Sequence, residues 1–403
     1  MTTTEHRYAT TPQLSEALKK YQNAAGLIGI IGLLVLIAGY FIVNPVQFLR
    51  SYLVGFWMWF GVSGGCLTLL MTQYLTGGAW GVMIRRPLEA GAKTFYVMWL
   101  GFLPLLLGVH KIYWWTTPEG LADKRIHDKV LYLNVEFLWI RWVIYGVIWL
   151  GLTYLMTKWS ALEDETKSTV YSKKMEAFAG PGVALMFFTM TFASVDYIMT
   201  LEPHWFSTMF GFITVVGQGL TSLCVVVATL VLISHFPPMD HAVTAKHRHD
   251  LGKLMLAFTM LWAYVHFGQL LITWSGNLPD EVVWYIKRWN GGWGWIATIL
   301  LIFHFFVPFF MLLSQPNTKK ENRLIRIACF IIFMRAVDYI WLIEPNFTDV
   351  KTVAFNFSWL DIVAPIGFGG LWLAMFFRNL PRMPLLPTGA PDFLKGLNHG
   401  RNH

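Results

Sequence analysis

The chain has 403 residues, of which 55% are hydrophobic and 13% charged, and soluble proteins carry about twice that charged share. The apolar residues occur in runs of about 20, long enough to cross a hydrocarbon core about 30 Å thick, so the composition excludes a soluble globular enzyme. The net charge of +8 lies mostly in loops, and it indicates membrane topology rather than nucleic-acid binding.

The first predicted element is a short helix at the N-terminus. Thr11 is expected to be its N-cap with Pro12 in the first turn, the position where proline is tolerated best. Leu14, Leu18 and Tyr21 fall on one face, as in a surface helix. The region 1–23 has no short apolar stretch followed by a cleavage site, so we expect no signal peptide, and the first apolar run remains as an anchor.

Hydropathy predicts an all-α integral membrane protein of about ten transmembrane helices. The predicted spans are 24–43, 51–74, 94–110, 133–157, 180–200, 209–235, 254–274, 293–314, 324–343 and 358–377.

Basic residues give the predicted orientation. Lys and Arg are concentrated in the N-terminal segment (including Arg7), in the loops that follow even-numbered spans, and in the tail (including Arg401). By the positive-inside rule, both termini are predicted to be cytoplasmic. The tail at 378–403 is too proline-rich for a helix, and we expect it to lie extended over a partner.

A nine-residue motif occurs twice. Residues 195–203 read VDYIMTLEP and residues 337–345 read VDYIWLIEP, with six of nine positions identical. Each copy ends an apolar run, which indicates internal duplication. The predicted organisation is two tandem four-helix bundles, 51–203 and 209–345, flanked by helices 24–43 and 358–377. Gly61 and Gly65 are expected to allow close approach of another helix.

The motif places an aspartate inside each of two membrane helices, where it costs about 2.5–3.5 kcal/mol on insertion scales. Asp338 follows Arg335 by three residues, so that pair is on one helix face. Asp196 has no basic neighbour within a turn, and Arg141 is the leading candidate for its partner. Glu136 is expected to seek a partner on another helix. A role in carrying protons and a purely structural ion pair both remain open for each aspartate.

Histidines add further polar candidates. His110 is predicted at the outer end of the third span, and His266 and His304 lie in the middle of the seventh and eighth. A relay, a quinone site or, less favoured, a haem would all use such histidines. Tyr264 supplies another polar group, whereas Glu202 and Glu344 are expected to be solvated.

Motifs for soluble chemistry and for bound metals are missing from the sequence. The three cysteines form no C-x-x-C pattern, so we expect no iron–sulfur, zinc or covalent haem site on the cysteines of this chain. The favoured prediction is a chain without a metal or cofactor of its own. The sequence has no phosphate-binding loop and no nucleophile elbow.

The layout and the stretch VDYIMTLEPHWFSTMFG resemble the polysulfide-reductase-type (NrfD-like) membrane subunits and, within them, the second such subunit of alternative complex III, a bacterial quinol:electron acceptor oxidoreductase. The resemblance covers most of the chain. It implies a multi-pass protein of the bacterial inner membrane, with partners that include an NrfD-like quinol-binding paralogue, an iron–sulfur subunit, a multihaem cytochrome c subunit and small membrane subunits.

The resemblance also implies a proton path coupled to quinol oxidation. Asp196 and Asp338 would carry protons. The expected relay or pairing groups are Glu136, Arg141, Arg335, His110, His266, His304 and Tyr264. Two alternatives stay open from the residues: this chain binds the quinol itself, or it only anchors the complex.

Overall fold

The computed structural model describes residues 11–399. The parts of the predicted N-terminal segment and tail at 1–10 and 400–403, with Arg7 and Arg401, lie outside the described residues. All regular structure in 11–399 is helical, without a strand. The chain is an all-α integral membrane protein of about ten spans.

The ten long helices follow one another in chain order. They are α1 (Pro12–Ile42), α2 (Pro45–Thr76), α3 (Ala79–Leu107), α4 (Val135–Thr166), α5 (Thr169–Leu201), α6 (Phe210–Ile233), α7 (Ala245–Gly276), α8 (Trp293–Leu313), α9 (Glu321–Ile343) and α10 (Leu360–Asn379). Shorter helices are Val109–Ile112, Trp114–Thr116, Pro118–Ala122, Lys124–His127, Met239–Ala242, Pro279–Trp289, Gln315–Lys319, Glu344–Phe347, Leu380–Arg382 and Phe393–Leu397. We call Pro279–Trp289 the outer helix.

Within residues 11–399, nine of the ten long helices are long and apolar enough to cross a membrane by composition alone, and α9 is the exception. Its apolar stretch carries Arg326, Arg335 and Asp338, and three charges are rare in a lipid-facing span. The helix has 23 residues, and Arg335 and Asp338 are fully buried in protein. Burial and pairing explain how α9 tolerates these charges.

Several helices extend further on the predicted cytoplasmic side than hydropathy indicates. Helix α3 begins at Ala79 rather than at 94, α5 at Thr169 rather than at 180, and α7 at Ala245 rather than at 254. Their additional turns contain charged residues that hydropathy assigns to loops. The predicted N-terminal surface helix is also continuous with α1, where Thr11 caps the helix by accepting a hydrogen bond from the Leu14 amide.

Helices α2 and α6 lie at the centre of the molecule. Helix α2 packs against α3, α5, α6 and α10, and α6 packs against α5, α7 and α9. Helices α7, α8 and α9 also contact one another, and α1 packs along α10 at the edge. The bounds of the two predicted bundles stay a prediction.

Small residues set the crossing of α2 and α6, at the positions predicted for close approach. A Cβ added at Gly61 would lie 2.6 Å from the Gln218 side chain, and one added at Gly65 would lie 2.6 Å from the Gln218 carbonyl oxygen. The Ser222 hydroxyl donates to the Val62 carbonyl at 2.9 Å across the same crossing. The two central helices therefore meet nearly backbone to backbone.

The tail after α10 packs on its own chain, at the end predicted to be cytoplasmic, and it contains the short helix Phe393–Leu397 where the sequence predicted no helix. Contact of the tail with a partner stays a prediction. Leu385, Leu386 and Leu397 are buried. The Gly389 amide donates to Asp164 Oδ1 at 3.0 Å, and His399 Nε2 lies 2.7 Å from Asp250 Oδ2. Burial of these leucines stabilises the packing of the proline-rich segment against the helices.

Candidate functional site: buried carboxylates in two bundles

Asp196 forms a buried ion pair with Arg141, the partner predicted from the sequence. Arg141 Nε donates to Asp196 Oδ2 at 2.9 Å, and the Tyr145 hydroxyl donates to the same oxygen at 2.8 Å. The guanidinium also stacks on the Tyr132 ring, 4.1 Å from its centroid. Asp196 Oδ1 has no hydrogen-bond partner among residues 11–399. One carboxylate oxygen is thus held and the other is left to accept a proton or a further donor.

Asp338 has a similar environment in the second half of the chain. Its Oδ2 accepts hydrogen bonds from Arg335, on the same helix as predicted, and from Trp262 Nε1 at 3.1 Å. Arg335 also reaches Thr221 on α6. A Cβ at Gly217 would lie 2.2 Å from the Arg335 guanidinium, so glycine makes the space for this arginine. Asp338 Oδ1 lacks a partner within the described part of the chain.

The two mid-membrane histidines lie on either side of Trp262. Its indole centroid is 4.5 Å from that of the His266 ring and 4.2 Å from that of the His304 ring. His304 belongs to a π-helical turn, Leu300–Phe306, that precedes Pro308. Such turns re-aim side chains and are frequent at functional sites. His266 and His304 therefore belong to one cluster with Asp338.

Three predicted relay residues lie away from both aspartate clusters. Glu136 is exposed in the first turn of α4, where its charge complements the helix dipole, and it forms no ion pair with any residue between 11 and 399. His110 is exposed in Val109–Ile112, beyond the end of α3. Tyr264 has 71% of its side chain exposed, on the lipid-facing side of α7. Helix rotation, which composition does not fix, separates Tyr264 from the interior, whereas Glu136 and His110 lie at or beyond helix ends.

Helix α4 carries a buried polar stripe that sequence reasoning missed. Side chains able to hydrogen-bond recur every three or four residues and all face the bundle interior. The stripe consists of Arg141, Tyr145, Trp149, Thr153, Thr157, Ser160 and Glu163, each at most 6% exposed. At 1.5 Å per residue it runs about 33 Å, comparable to the hydrocarbon core.

The end of this stripe on the predicted cytoplasmic side meets a buried charge network. Ser160 Oγ receives hydrogen bonds from Arg85 and Arg86 at 3.0 and 2.8 Å and donates to Glu89 at 2.5 Å. Arg85 also pairs with Glu163. Arg86 pairs with Glu89 at 2.6 Å and with Asp164. Hydropathy begins the third span at 94 and therefore assigns Arg85 and Arg86 to a loop, whereas α3 begins at Ala79.

In the second predicted bundle, the described residues on the predicted cytoplasmic side form no such stripe. Apolar side chains that are almost fully buried fill this region: Leu251, Met255, Leu312, Leu324, Ile327 and Ile331. Buried polar side chains also occur there, including Thr229 and Thr259, but they form no continuous row like that of α4 among the described residues. Each predicted bundle contains one copy of the motif. The two differ in the buried side chains between the motif aspartate and the predicted cytoplasmic side, which are polar along α4 and mostly apolar in the second bundle.

The motif glutamates are not solvated as predicted. Glu202 pairs with Lys287 of the outer helix, and the next residue, Arg288, donates to the Leu342 carbonyl at 2.6 Å and to Asn346 Oδ1 at 3.1 Å. Adjacent residues of one helix thus bind the two motif copies. Glu344 is fully buried. Burial raises its pKa well above the usual range, and Asp361 raises it further, against an opposing effect of Arg50.

A cavity of about 660 Å³ opens beside the Asp338 cluster. Asp338 and His266 form its polar end, and most of the remaining wall is aromatic or aliphatic, including Trp262, Tyr285 and Trp341. Rim residues Phe267 and Leu301 are 62% and 53% exposed on the lipid-facing side. The cavity is therefore suited to a ligand with an apolar body and one polar end.

Metal binding finds no support in side-chain clustering. Within residues 11–399 no group of three or more His, Cys, Asp or Glu side chains could hold a metal ion.

Comparison with protein-family models gave no match, and comparison with curated proteins gave none.

Proposed function

We propose that this chain is an integral membrane subunit of a quinol-oxidising respiratory complex, and that its first bundle carries protons across the membrane. The observation that supports this is the buried polar stripe of α4, which joins the Arg85–Glu89–Glu163 network to Asp196. A polar face of this length inside a membrane bundle marks an ion pathway more often than a structural element.

The stripe supplies the chemical groups that proton transfer needs. Carboxyl groups at its two ends, Glu163 and Asp196, can exchange protons, and the hydroxyls of Thr153 and Thr157 can donate and accept. Ordered water can bridge polar groups that do not touch. Burial disfavours a charged carboxylate and the arginine partner favours it, so the balance between Asp196 and Arg141 controls when the proton is held.

Redox chemistry in this proposal belongs to the partners. The complex would include an NrfD-like quinol-binding paralogue, an iron–sulfur subunit, a multihaem cytochrome c subunit and small membrane subunits, in the bacterial inner membrane with both termini cytoplasmic. The family resemblance of the VDYIMTLEP stretch supports this setting. The chain would act without a cofactor of its own.

The test is Asp196→Asn in the purified complex reconstituted into vesicles. We expect proton translocation to be lost while quinol oxidation and assembly persist. Asp338→Asn is the matched control, because each change leaves a buried arginine without its carboxylate and should perturb stability similarly. An unchanged proton-to-electron ratio in Asp196→Asn would contradict the proposal, and altered stability alone in both variants would favour a structural anchor.

A second candidate function is binding of the quinol itself, in the cavity beside Asp338. The unpartnered Asp338 Oδ1 could accept from a ring hydroxyl, and aromatic walls would hold the ring. A photoreactive quinone analogue should then label α7 or α8, and His266→Leu should abolish labelling. Tyr264→Phe, on the lipid-facing side of the same helix, is the control. No labelling of this chain would remove this candidate.

A further inference from the structure

A concave cluster of basic residues lies on the predicted cytoplasmic side, where α8, α9 and the start of α7 meet. Arg248, Lys319, Lys320, Arg323 and Arg326 line a pocket of about 500 Å³, together with Glu321 and Asn322. We call it the basic pocket. It is far along the chain from the α4 stripe, and the proposed proton path does not use it.

The charges of the basic pocket are largely uncompensated. Its one carboxylate, Glu321, pairs with Arg248 at 2.9 Å. Arg323 donates to the neutral Asn317 side chain at 2.9 Å. Lys319, Lys320 and Arg326 are exposed and form no ion pair in the described ranges of the chain. Four cations therefore face one cavity without a counter-charge.

Some other basic groups on this side of the protein are paired with carboxylates. Arg85 and Arg86 share three carboxylates, and Lys253 lies 3.8 Å from Asp250. The positive-inside rule accounts for basic residues on the cytoplasmic side in general. It does not require that four of them converge on one pocket.

The basic pocket borders the lipid-facing surface. Phe310 and Leu313, in the last turns of α8, are 63% and 62% exposed, and Phe333 of α9 is 63% exposed. These side chains lie on the membrane side of the cations along the same two helices. A ligand with anionic oxygens at one end and acyl chains at the other matches this arrangement.

We propose that the basic pocket binds the phosphate headgroup of an anionic phospholipid from the cytoplasmic leaflet. Basic pockets between membrane helices on this side attract such headgroups. Four uncompensated cations exceed the charge of one phosphodiester, so a lipid with two phosphates, of the diphosphatidylglycerol type, is the best match. Its acyl chains would lie along Leu313 and Phe333.

The experiment compares lipid retention by native mass spectrometry of the complex in nanodiscs containing diphosphatidylglycerol and phosphatidylcholine. The test variant is Lys319→Gln/Lys320→Gln/Arg323→Gln. The control is Lys158→Gln/Lys173→Gln/Lys174→Gln, which removes three charges near the cytoplasmic ends of α4 and α5. We expect the test variant to lose affinity for diphosphatidylglycerol by roughly 100-fold and the control to retain it.

Two outcomes would overturn the proposal. Equal retention by both variants would show that the bound lipid is held by general surface charge. Tight binding of inorganic pyrophosphate, with displacement of the mass-detected lipid, would show that the pocket takes a soluble phosphate compound instead. Retention of phosphatidylcholine should be the same in both variants, because its headgroup has no net charge.

Discussion

Each motif aspartate is held through one oxygen by an arginine and a second donor, and its other oxygen has no partner among the described residues. A purely structural ion pair gains from satisfying every polar atom, because an unpaired buried acceptor costs about 1–3 kcal/mol. The repeated half-satisfied arrangement favours a role in which a proton or ligand comes and goes.

Removal of the second donor tests this view at Asp196. Tyr145→Phe deletes one hydroxyl and keeps the ring that stacks on Trp149. We expect proton transfer to slow and the free energy of unfolding to fall by about 1–3 kcal/mol. Tyr154→Phe, on the exposed side of α4, is the control. Stopped-flow proton uptake in vesicles measures the first effect, and an unchanged rate would contradict the assigned role.

Glu344 gives a prediction about pH. Its raised pKa means that the folded protein binds a proton more tightly than the unfolded chain, whose glutamates titrate near about 4.3. The stability it contributes is full below that value and is lost as pH rises through the raised pKa. Arg50 and Asp361 are the charged groups that influence it.

Glu344→Gln should therefore remove part of the decline in the free energy of unfolding toward alkaline pH, by up to about 1.4 kcal/mol per pH unit over the affected range. Thermal unfolding of the solubilised protein between pH 5 and 9 measures this. Glu136→Gln, which alters an exposed glutamate, should leave the profile unchanged. Identical profiles for Glu344→Gln and the wild type would show that Glu344 does not hold a proton.

At the scale of helices, glycines decide how α1 and α10 pack. A Cβ at Gly29 would lie 2.4 Å from the Leu371 backbone nitrogen, and one at Gly370 would lie 2.3 Å from the Gly29 nitrogen. Backbone cannot move aside as a flexible side chain can. Close contact of this kind drives helix association in lipid, where no hydrophobic effect acts between helices.

Gly29→Ala should separate these helices and lower the free energy of unfolding by about 1–3 kcal/mol or more. Gly268→Ala is the matched control, since an added Cβ there meets nothing within 4 Å. The control should be neutral or stabilising, because alanine is favoured over glycine in a helix by about 1 kcal/mol. Unfolding in a denaturing detergent measures both, and similar losses would contradict the packing argument.

For the whole molecule, charge distribution predicts orientation. We expect Lys351→Cys to react with a membrane-impermeant maleimide from the outside, and Lys173→Cys only after permeabilisation. Cys329, which is exposed, is first replaced by serine, whereas Cys66 and Cys224 are buried. Labelling of Lys173→Cys in intact, outside-out vesicles would reverse the topology and the direction of the proposed proton path.

The outer helix links the two halves at the same scale. Lys287 binds Glu202 of the first motif copy, and Arg288 binds the backbone of the second. The outer helix therefore contacts both copies of the motif directly. The sequence gives no sign of this connection, since 279–289 reads as a polar loop in a hydropathy profile.

The sequence alone determined the class of the protein and much of its order. Runs of apolar residues predicted the number of helices, because a bilayer requires spans of about 20 residues whatever the tertiary arrangement. The duplicated motif identified Asp196 and Asp338 as candidates, because charged residues are energetically unfavourable in a membrane helix and are therefore rare there. Arg141 and Arg335 followed as partners, and the structure confirmed both pairs.

Tertiary structure decided the rest. Hydropathy ended helices at charged residues, but Arg85, Arg86 and Glu89 continue α3 because they neutralise one another inside the protein. Periodicity could have found the α4 stripe at 141, 145, 149, 153 and 157, yet only the fold shows that this face points inward. Glu136, His110 and Tyr264 are polar residues that the fold leaves exposed. Composition fixes what a span contains, and packing fixes which side of it meets its neighbours.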